Sequence, residues 1–358
     1  MVVGNSGGKT HPPDVSDPVT FSQGQIVLLE KGGLSRAAIC SMGGCFMKKR
    51  IVAAVVLAVA LVSAGFTLYT PDLGRTDLEA RYANTDSKFV EVDGLRMHYR
   101  DQGSGPALLL IHGSNASLHT WEGWVKELSD DFRIISFDLP GHGLTGPDAK
   151  KRYGWIPQAE LAGRLMEALD IERFSVAGNS LGGAIAWNLA VLEPERVENL
   201  ILIDSIGYPR EEPLPLILRA YGTPVLGDVL TVVTPRAAIR DSLESVYGDP
   251  QKVGPEMVEL YHDLNLREGN RQATHERLSL ADDNDHLNKL ASLQVPTLIL
   301  WGAKDTWVHP KYAGYFARDI KNSDVIIYDD LGMFRWRKRL PGLLRMRGRF
   351  LCSDGMFV

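Results

Sequence analysis

The sequence predicts an α/β fold: a mostly parallel, doubly wound sheet with a helical cap inserted after its sixth strand. Two observations predict it. Short, nearly continuous apolar runs recur along the chain, such as "ALLLIHG" at 107–113 and "PTLILWG" at 296–302, and such runs are typical of strands buried on both faces of a parallel sheet. Helical patterns lie between them, for example Ile156–Leu169 and Leu181–Leu192, which gives the alternation of a doubly wound sheet.

The composition is that of an ordinary globular protein. The chain has 358 residues, of which 44% are hydrophobic, and a net charge of -5. It therefore has room for a large core and lacks the positive field that would indicate nucleic acid as a partner. Its three cysteines, Cys40, Cys45 and Cys352, lie near the two ends, a pattern that offers neither a disulfide framework nor a metal site. No metal and no cofactor are expected.

The first 46 residues are rich in Gly, Pro and Ser and are predicted to be disordered. A secretory signal normally begins at the N-terminus, with its basic residues first. Because such a signal follows here only at Met47, we expect Met47 to be the true start and residues 1–46 to be a non-native upstream extension. The alternative is a genuine cytosolic extension.

Residues 47–71 are predicted to be a signal peptide or a membrane anchor. A basic Lys-Lys-Arg stretch at 48–50 precedes 19 uncharged residues, 51–69, a run just long enough to span a bilayer. Val62-Ser63-Ala64 resembles a cleavage site, so both interpretations stay open, and the basic flank argues against a buried core helix. The same flank predicts an extracytoplasmic location for the rest of the chain, whether periplasmic, secreted or membrane-anchored.

Residues 72–332 are predicted to form the main domain. Its first two strands form a hairpin around Asp93-Gly94, and later strands are the runs "RIISFDLPGHG", "FSVAGNS", "NLILIDS" and "DVIIYDD". Between about 207 and 292 the chain contains several amphipathic stretches and no clear strand. This stretch is therefore predicted to be the helical cap.

A G-x-S-x-G motif, Gly178-Asn179-Ser180-Leu181-Gly182, marks the candidate catalytic centre. It follows an apolar strand and opens a helix, which is the context that this motif requires. Small neighbours let the serine occupy a tight turn above the sheet, and the helix N-terminus points N–H groups at the same place. The alternative is a glycine-rich structural turn.

From about Lys88 to Gly332 the chain resembles the α/β-hydrolase superfamily, and within it bacterial secreted or membrane-tethered carboxylesterases and lipases with a small cap. Three further motifs carry the resemblance: "HGS" at 112–114, "DLPGHG" at 138–143 and "WGAKDTWVHP" at 301–310. The first is similar to the oxyanion loop of the family and includes His112 and Gly113. The third is similar to the loop that presents the catalytic acid.

The resemblance implies a role for each of these residues. Ser180 would be the nucleophile, the N–H groups of Ser114 and Leu181 would hold the oxyanion, and Asp305 would orient a histidine base. Asp305 could instead be a salt-bridged surface residue. Asp204, at the end of the sixth strand, is more often structural at such a place but stays as a minor alternative acid.

The expected base is missing from the sequence. The family has a histidine just after the glycine that follows strand 8, and here Met333 follows Gly332. His309 lies close to Asp305 in sequence, and His112 and His142 belong to motifs in which the family uses them structurally. The other candidates, on predicted helices or in the cap where solvent-facing roles are commoner, are His119, His262, His275 and His286.

Residues 333–358 are an aberrant basic tail, with six Arg and one Lys against one Asp. A one-base shift in the reading frame near Gly332 permits the tail "HVPMEEEAARSAADARAFL", which supplies the histidine and an amphipathic last helix. We therefore suspect a frameshift that has removed both the base and the last helix. The alternative is a real basic tail for anionic lipid or nucleic acid.

These features predict a serine hydrolase that cleaves carboxylic esters of hydrophobic acyl groups through an acyl-enzyme, impaired in the printed chain. Its partners would be a small hydrophobic ester and, if the N-terminal run is not cleaved, a membrane through residues 51–69. Two enzyme alternatives on the same fold are a carbon–carbon hydrolase and a cofactor-free perhydrolase. A third alternative is a catalytically dead, membrane-tethered binding protein.

Overall fold

The computed structural model describes residues 50–57, 59, 63, 65, 67–247, 250–280 and 285–329. The predictions for residues 1–46, Gly332, Met333 and the basic tail therefore lie outside the described residues, and the one for residues 51–69 lies partly outside them. Residues 50–57 and 59 are helical. Within the described residues, no helix combines the length and the apolar character that a membrane span requires.

The core of the fold is an eight-stranded sheet with the order β1-β2-β4-β3-β5-β6-β7-β8. The first pairings, β1 with β2 and β2 with β4, are antiparallel, and all later ones are parallel. The predicted α/β-hydrolase fold with a mostly parallel, doubly wound sheet is thus confirmed. The strands are Ser87–Val92 (β1), Leu95–Gln102 (β2), Ala107–Ile111 (β3), Arg133–Phe137 (β4), Phe174–Asn179 (β5), Val197–Ile203 (β6), Thr297–Gly302 (β7) and Ser323–Tyr328 (β8).

The middle strands form the hydrophobic core because both of their faces are covered. Every residue of β5 and of β7 is buried, as their uninterrupted apolar sequences predict. Helices cover the two faces: Glu122–Leu128 (α2), Trp155–Ala168 (α3), Leu181–Leu192 (α4) and Lys311–Asp319 (α10).

The edge strand β8 is less well covered. Val325 and Ile327, which alternate onto the same face of the strand, are 39% and 47% exposed. Ile326, on the opposite face, packs against the core.

Between β6 and β7 the described residues contain helices and no strand. The helices are Leu216–Tyr221 (α5), Pro224–Leu230 (α6), Arg236–Tyr247 (α7), Pro255–Asn265 (α8) and Asn270–Leu278 (α9), with short 3₁₀ turns at Pro250–Lys252 and Leu287–Ser292. They correspond to the stretch that the sequence predicts to be a helical cap.

The segment that precedes the sheet, from Thr70 to Tyr82, is hydrogen-bonded to this cap. The backbone N–H of Thr70 donates to Val232 O at 2.8 Å, and Nη2 of the buried Arg271 donates to Thr70 O at 2.8 Å. Helix α1, Arg75–Tyr82, continues the attachment, because the Tyr82 hydroxyl donates to Oδ2 of Asp263 on α8 at 2.9 Å. No pattern in the sequence indicates these contacts.

Candidate active site

Ser180 stands in a strained turn between β5 and α4. Its φ is +54° and its ψ is -114°, a conformation that L-residues rarely adopt and that costs about 1–3 kcal/mol. A Cβ on Gly178 would lie 2.0 Å from Gly182 O, and a Cβ on Gly182 would lie 2.1 Å from Ile111 O. Both motif glycines are therefore required by close backbone approach, and the turn leaves Ser180 partly exposed.

The loop after β3 lies beside this turn because β3 and β5 are parallel neighbours, with Ile111 paired to Gly178. A Cβ on Gly113 would lie only 3.3 Å from the Cβ of Ser180, which leaves the following residue, Ser114, next to the serine. Leu181 is the first residue of α4, so its N–H is one of the donors that a helix leaves without an intrahelical acceptor. The structure thus brings together the three residues predicted for the nucleophile and the oxyanion hole.

His112 holds the loop in place and is fully buried. Its Nδ1 donates to Gly113 O at 2.8 Å, and its Nε2 accepts the N–H of Leu139 at 3.0 Å. Because burial lowers its pKa, the ring is neutral at neutral pH. Its two hydrogen bonds leave neither ring nitrogen for Ser180, as expected for a structural residue.

Asp305 lies in the loop after β7 and is 5% exposed, so it is not a surface residue. Its Oδ1 accepts the N–H groups of Trp307 at 2.7 Å and Val308 at 3.0 Å. Its Oδ2 is buried without a hydrogen-bond partner among the residues that the structure describes. Burial raises the pKa of this carboxyl to about 7, although the two backbone hydrogen bonds act in the opposite direction.

Asp204 follows β6 directly and is fully buried. Its Oδ1 accepts the N–H of Gly302 at 2.9 Å, and its Oδ2 also has no partner among the described residues. Burial, and then the charge of Asp305, raise its pKa well above the ordinary value. The backbone links it to the nucleophile, because the N–H of Ser180 donates to Ile203 O at 3.0 Å.

None of the histidines that the structure describes hydrogen-bonds to Asp305. His309 is exposed and its Nδ1 accepts the N–H of Lys311. His262, on the cap, does not face solvent as its position suggested: it is 5% exposed, and its Nε2 lies 3.1 Å from Thr234 O. Position 333, where the family resemblance places the base, lies outside the described residues.

A cavity of about 290 Å³ contains Ser180 in its wall. Ser114 lines it on the side of the oxyanion loop, and Trp307 and Val308 line it on the side of Asp305. An adjoining apolar cavity of about 80 Å³ lies under the cap and shares three lining residues with it, Ser114, Leu218 and Trp307. The two cavities together form a two-lobed space over the nucleophile.

Two arginines in this cavity were not singled out from the sequence. Arg210 lies after the carboxyl end of β6, and its Nη2 donates to Trp307 O at 2.8 Å. Arg277 lies on α9. The position of Arg210 just after a parallel strand could have drawn attention to it, whereas nothing in the sequence around Arg277 distinguishes it from a solvent-facing residue of an amphipathic helix.

The family model for the alpha/beta hydrolase fold matches residues 106–334. This chain belongs to the α/β-hydrolase family. The match ends one residue after Met333, at the point where the basic tail begins.

Three relatives show the range of activities near this α/β hydrolase. The dihydrolipoyllysine-residue acetyltransferase component of the acetoin cleaving system of Pseudomonas putida is 29% identical over 251 residues, 68% of this chain and 63% of that protein. The 2-hydroxy-6-oxo-2,4-heptadienoate hydrolase of Pseudomonas putida is 26% identical over 280 residues, 75% of this chain and 96% of that one. The pimeloyl-[acyl-carrier protein] methyl ester esterase of Nitrosospira multiformis is 28% identical over 238 residues, which are 64% of this chain and 88% of that one.

The α/β hydrolase spans less than two thirds of the first of these relatives. Among solved structures, Cfl2 from Burkholderia cenocepacia aligns with a TM-score of 0.66 and 24% identity over 73% of this chain and 94% of that one. At that identity the likeness bears on the fold alone.

Proposed function

We propose that the protein is a serine hydrolase that cleaves carboxylic esters with hydrophobic acyl groups. The observation that carries the proposal is the strained turn that holds Ser180 in the wall of a largely apolar cavity, beside the Gly113-Ser114 loop and the first N–H of α4. Such turns store strain that a structural glycine loop would not need. The esterase among the relatives supports the same reaction class.

In the proposed reaction the Ser180 hydroxyl gives its proton to a base while its Oγ attacks the ester carbonyl carbon. The N–H groups of Ser114 and Leu181 stabilise the oxyanion, the alcohol leaves with the proton, and water later releases the acid from the acyl-enzyme. Asp305 orients the base: an Oδ2 without another hydrogen bond can accept the N–H of an imidazole. We propose that this imidazole belongs to a histidine at position 333 in the shifted reading frame.

A fluorophosphonate probe tests the nucleophile. We expect labelling of the chain with the shifted-frame tail, and loss of both labelling and 4-nitrophenyl butyrate hydrolysis in Ser180→Ala. Hydrolysis that survives Ser180→Ala would contradict the assignment. The printed chain should label weakly at most, because loss of the histidine costs about a millionfold in kcat in the subtilisin case.

A matched pair of variants tests the acid. Asp305→Asn should reduce kcat by up to about 10⁴-fold, since an amide leaves the base in the wrong tautomer. Asp204→Asn removes a carboxylate of similar burial and should cost much less. The reverse order of effects would assign the role to Asp204.

A carbon–carbon hydrolase is the second candidate, favoured by the similarity to a 2-hydroxy-6-oxo-2,4-heptadienoate hydrolase. Both reactions use the same nucleophile turn, so the substrate decides between them. Turnover of that dienoate at a kcat/KM above the value for 4-nitrophenyl butyrate would favour this candidate, and no measurable turnover would exclude it.

We further propose that the protein works outside the cytoplasm, at the surface of the membrane that residues 51–69 enter. The cap exposes a group of large apolar side chains: Leu216, Val225, Leu226, Val229, Val232 and Leu280. Two observations support a lipid surface as their partner. Thr70, which directly follows the apolar run, bonds to Val232 O, and Leu280 also lines the cavity of Ser180.

A further inference from the structure

Arg277 is the least well compensated charge in the candidate active site. Its Nε and Nη2 are buried and have no hydrogen-bond partner among the residues that the structure describes, and burial lowers its pKa to about 10. It nevertheless stays protonated at neutral pH. Buried guanidinium nitrogens without a partner are costly, and in a native structure they call for an explanation such as a bound ligand.

The neighbours of Arg277 place it over the oxyanion loop. One turn earlier on α9, the Thr274 hydroxyl approaches Asn115 Oδ1 at 3.5 Å, and the charge of Arg277 acts on the buried rings of His112 and His142. Arg277 also lines the same cavity as Ser180. Its charge is therefore available to a molecule bound at the nucleophile.

The other charges in the wall of the cavity also favour binding of a negatively charged group. The described residues that line the cavity include two arginines, Arg210 and Arg277, and include no aspartate or glutamate. Arg210 already has partners: it donates a hydrogen bond to Trp307 O, and its charge lowers the pKa of Asp305. No hydrogen bond or ion pair of this kind joins Arg277 to the other residues that the structure describes.

We propose that Arg277 binds a carboxylate on the alcohol side of the substrate ester, while the acyl chain occupies the adjoining apolar lobe. This inference rests on the site of the proposed function and names its substrate class: an apolar acyl group esterified to an alcohol that carries a carboxylate. A guanidinium suits this ligand because its donors match the two oxygens of a carboxylate. The apolar lobe suits the acyl chain because Ile217, Leu218, Leu230, Val233 and Val246 are among its lining residues.

Binding to the full chain with Ser180→Ala tests the proposal without turnover. The probes are 3-(butyryloxy)benzoate and 3-(butyryloxy)benzamide, which have nearly the same shape and differ by one negative charge. Calorimetry should show the benzoate binding about tenfold tighter, the effect of one charge-assisted hydrogen bond. Equal affinities for the two probes would overturn the proposal.

Three second-site variants locate the effect. Arg277→Leu should remove the preference for the benzoate and leave benzamide binding unchanged, and Arg277→Lys should keep part of the preference. Arg219→Leu is the matched control, because Arg219 is an exposed cap arginine outside the cavity, and it should change neither affinity. A preference that persists in Arg277→Leu would contradict the assignment.

Two further readouts distinguish carboxylate binding by Arg277 from a structural role and from a role at the oxyanion. The unfolding midpoint of Arg277→Leu should not fall, because the variant removes a charge that has no partner among the described residues, and a fall would show that Arg277 is a structural residue instead. If Arg277 served the oxyanion, Arg277→Leu would lower kcat equally for both probes in the chain with the shifted-frame tail. If the chain with the shifted-frame tail binds the probes with this charge preference but hydrolyses neither, the carboxylate site stands and the proposed function is contradicted.

Discussion

Asp204 and Asp305 form a buried pair of carboxyl groups at the carboxyl-terminal edge of the sheet. Each uses Oδ1 to accept backbone N–H groups, and each has an Oδ2 without a partner among the described residues. Burial raises the pKa of both, and the charge of Asp305 contributes to the shift at Asp204. The pair therefore destabilises the fold when ionised, unless a cation is placed beside it.

The first prediction concerns the pH dependence of stability. The pKa of Asp305 is about 7 in the folded protein and about 3.9 in an unfolded chain. The folded state holds this proton more tightly, so the stability from this group is complete below about pH 4 and is lost as the pH rises to about 7. Relative to Asp305→Asn, the parent chain should lose about 2 kcal/mol of unfolding free energy between pH 5 and pH 7.

Urea unfolding at the two pH values measures this difference. The Asn variant is a close match because it keeps an Oδ1 that can accept from Trp307 and Val308. Asp324→Asn, at an exposed position, is the control for removal of one carboxylate. A constant difference between parent and Asp305→Asn across this range would show that the carboxyl is not a strained group.

The second prediction is that alanine substitution affects stability in opposite directions at two glycines, Gly182 and Gly314. Gly182→Ala places a methyl group 2.1 Å from Ile111 O. It should cost about 3 kcal/mol of unfolding free energy, because the atoms that it meets belong to the backbone and cannot rotate away as a side chain can. Gly314→Ala lies within helix α10 with nothing within 4 Å and should add about 1 kcal/mol. Thermal unfolding of the two variants checks the pair, and equal effects would contradict the geometry of the turn.

The third prediction concerns the N-terminal segment. A chain that starts at Met47 should reach the membrane or periplasm, whereas one that starts at Thr70 should stay in the cytosol and keep the parent melting temperature. A chain that starts at Asp77 should melt lower, since it lacks the Thr70 contacts and the hydrogen bond from Arg271 to Asp72 Oδ1 at 2.7 Å. Finding the Met47 and Thr70 chains in the same cell fraction would refute the targeting role of residues 51–69.

The fourth prediction concerns the basic tail. If a base is missing near Gly332, the coding DNA should continue in the shifted frame through His, Val and Pro without an early stop. Restoring the frame should recover solubility as well as activity, because the restored helix would cover apolar surface such as Val325 and Ile327. Met333→His alone should recover little. Full activity of the printed chain would rule out the frameshift.

The sequence predicted the sheet well because its strands carry local signals. Burial of β5 and β7 on both faces allows few residues other than apolar ones, so their apolar runs indicate buried strands. Close backbone approach around Ser180 allows few residues other than glycine, so the two glycines indicate the tight turn. Arg277 and Thr70 could not be found in this way. Their roles depend on how short cap helices pack against distant segments, and that packing leaves no periodic pattern in the chain.

The contacts between the N-terminal segment and the cap also affect how the protein responds to mechanical load. Thr70 is bonded to the turn at Val232, and Tyr82 is bonded to Asp263 on α8. A pull on the chain at residue 69 would therefore load the cap before it loaded the sheet. The cap and the N-terminal segment would therefore move together, and the width of the entrance over Ser180 would depend on the direction of the pull at residue 69.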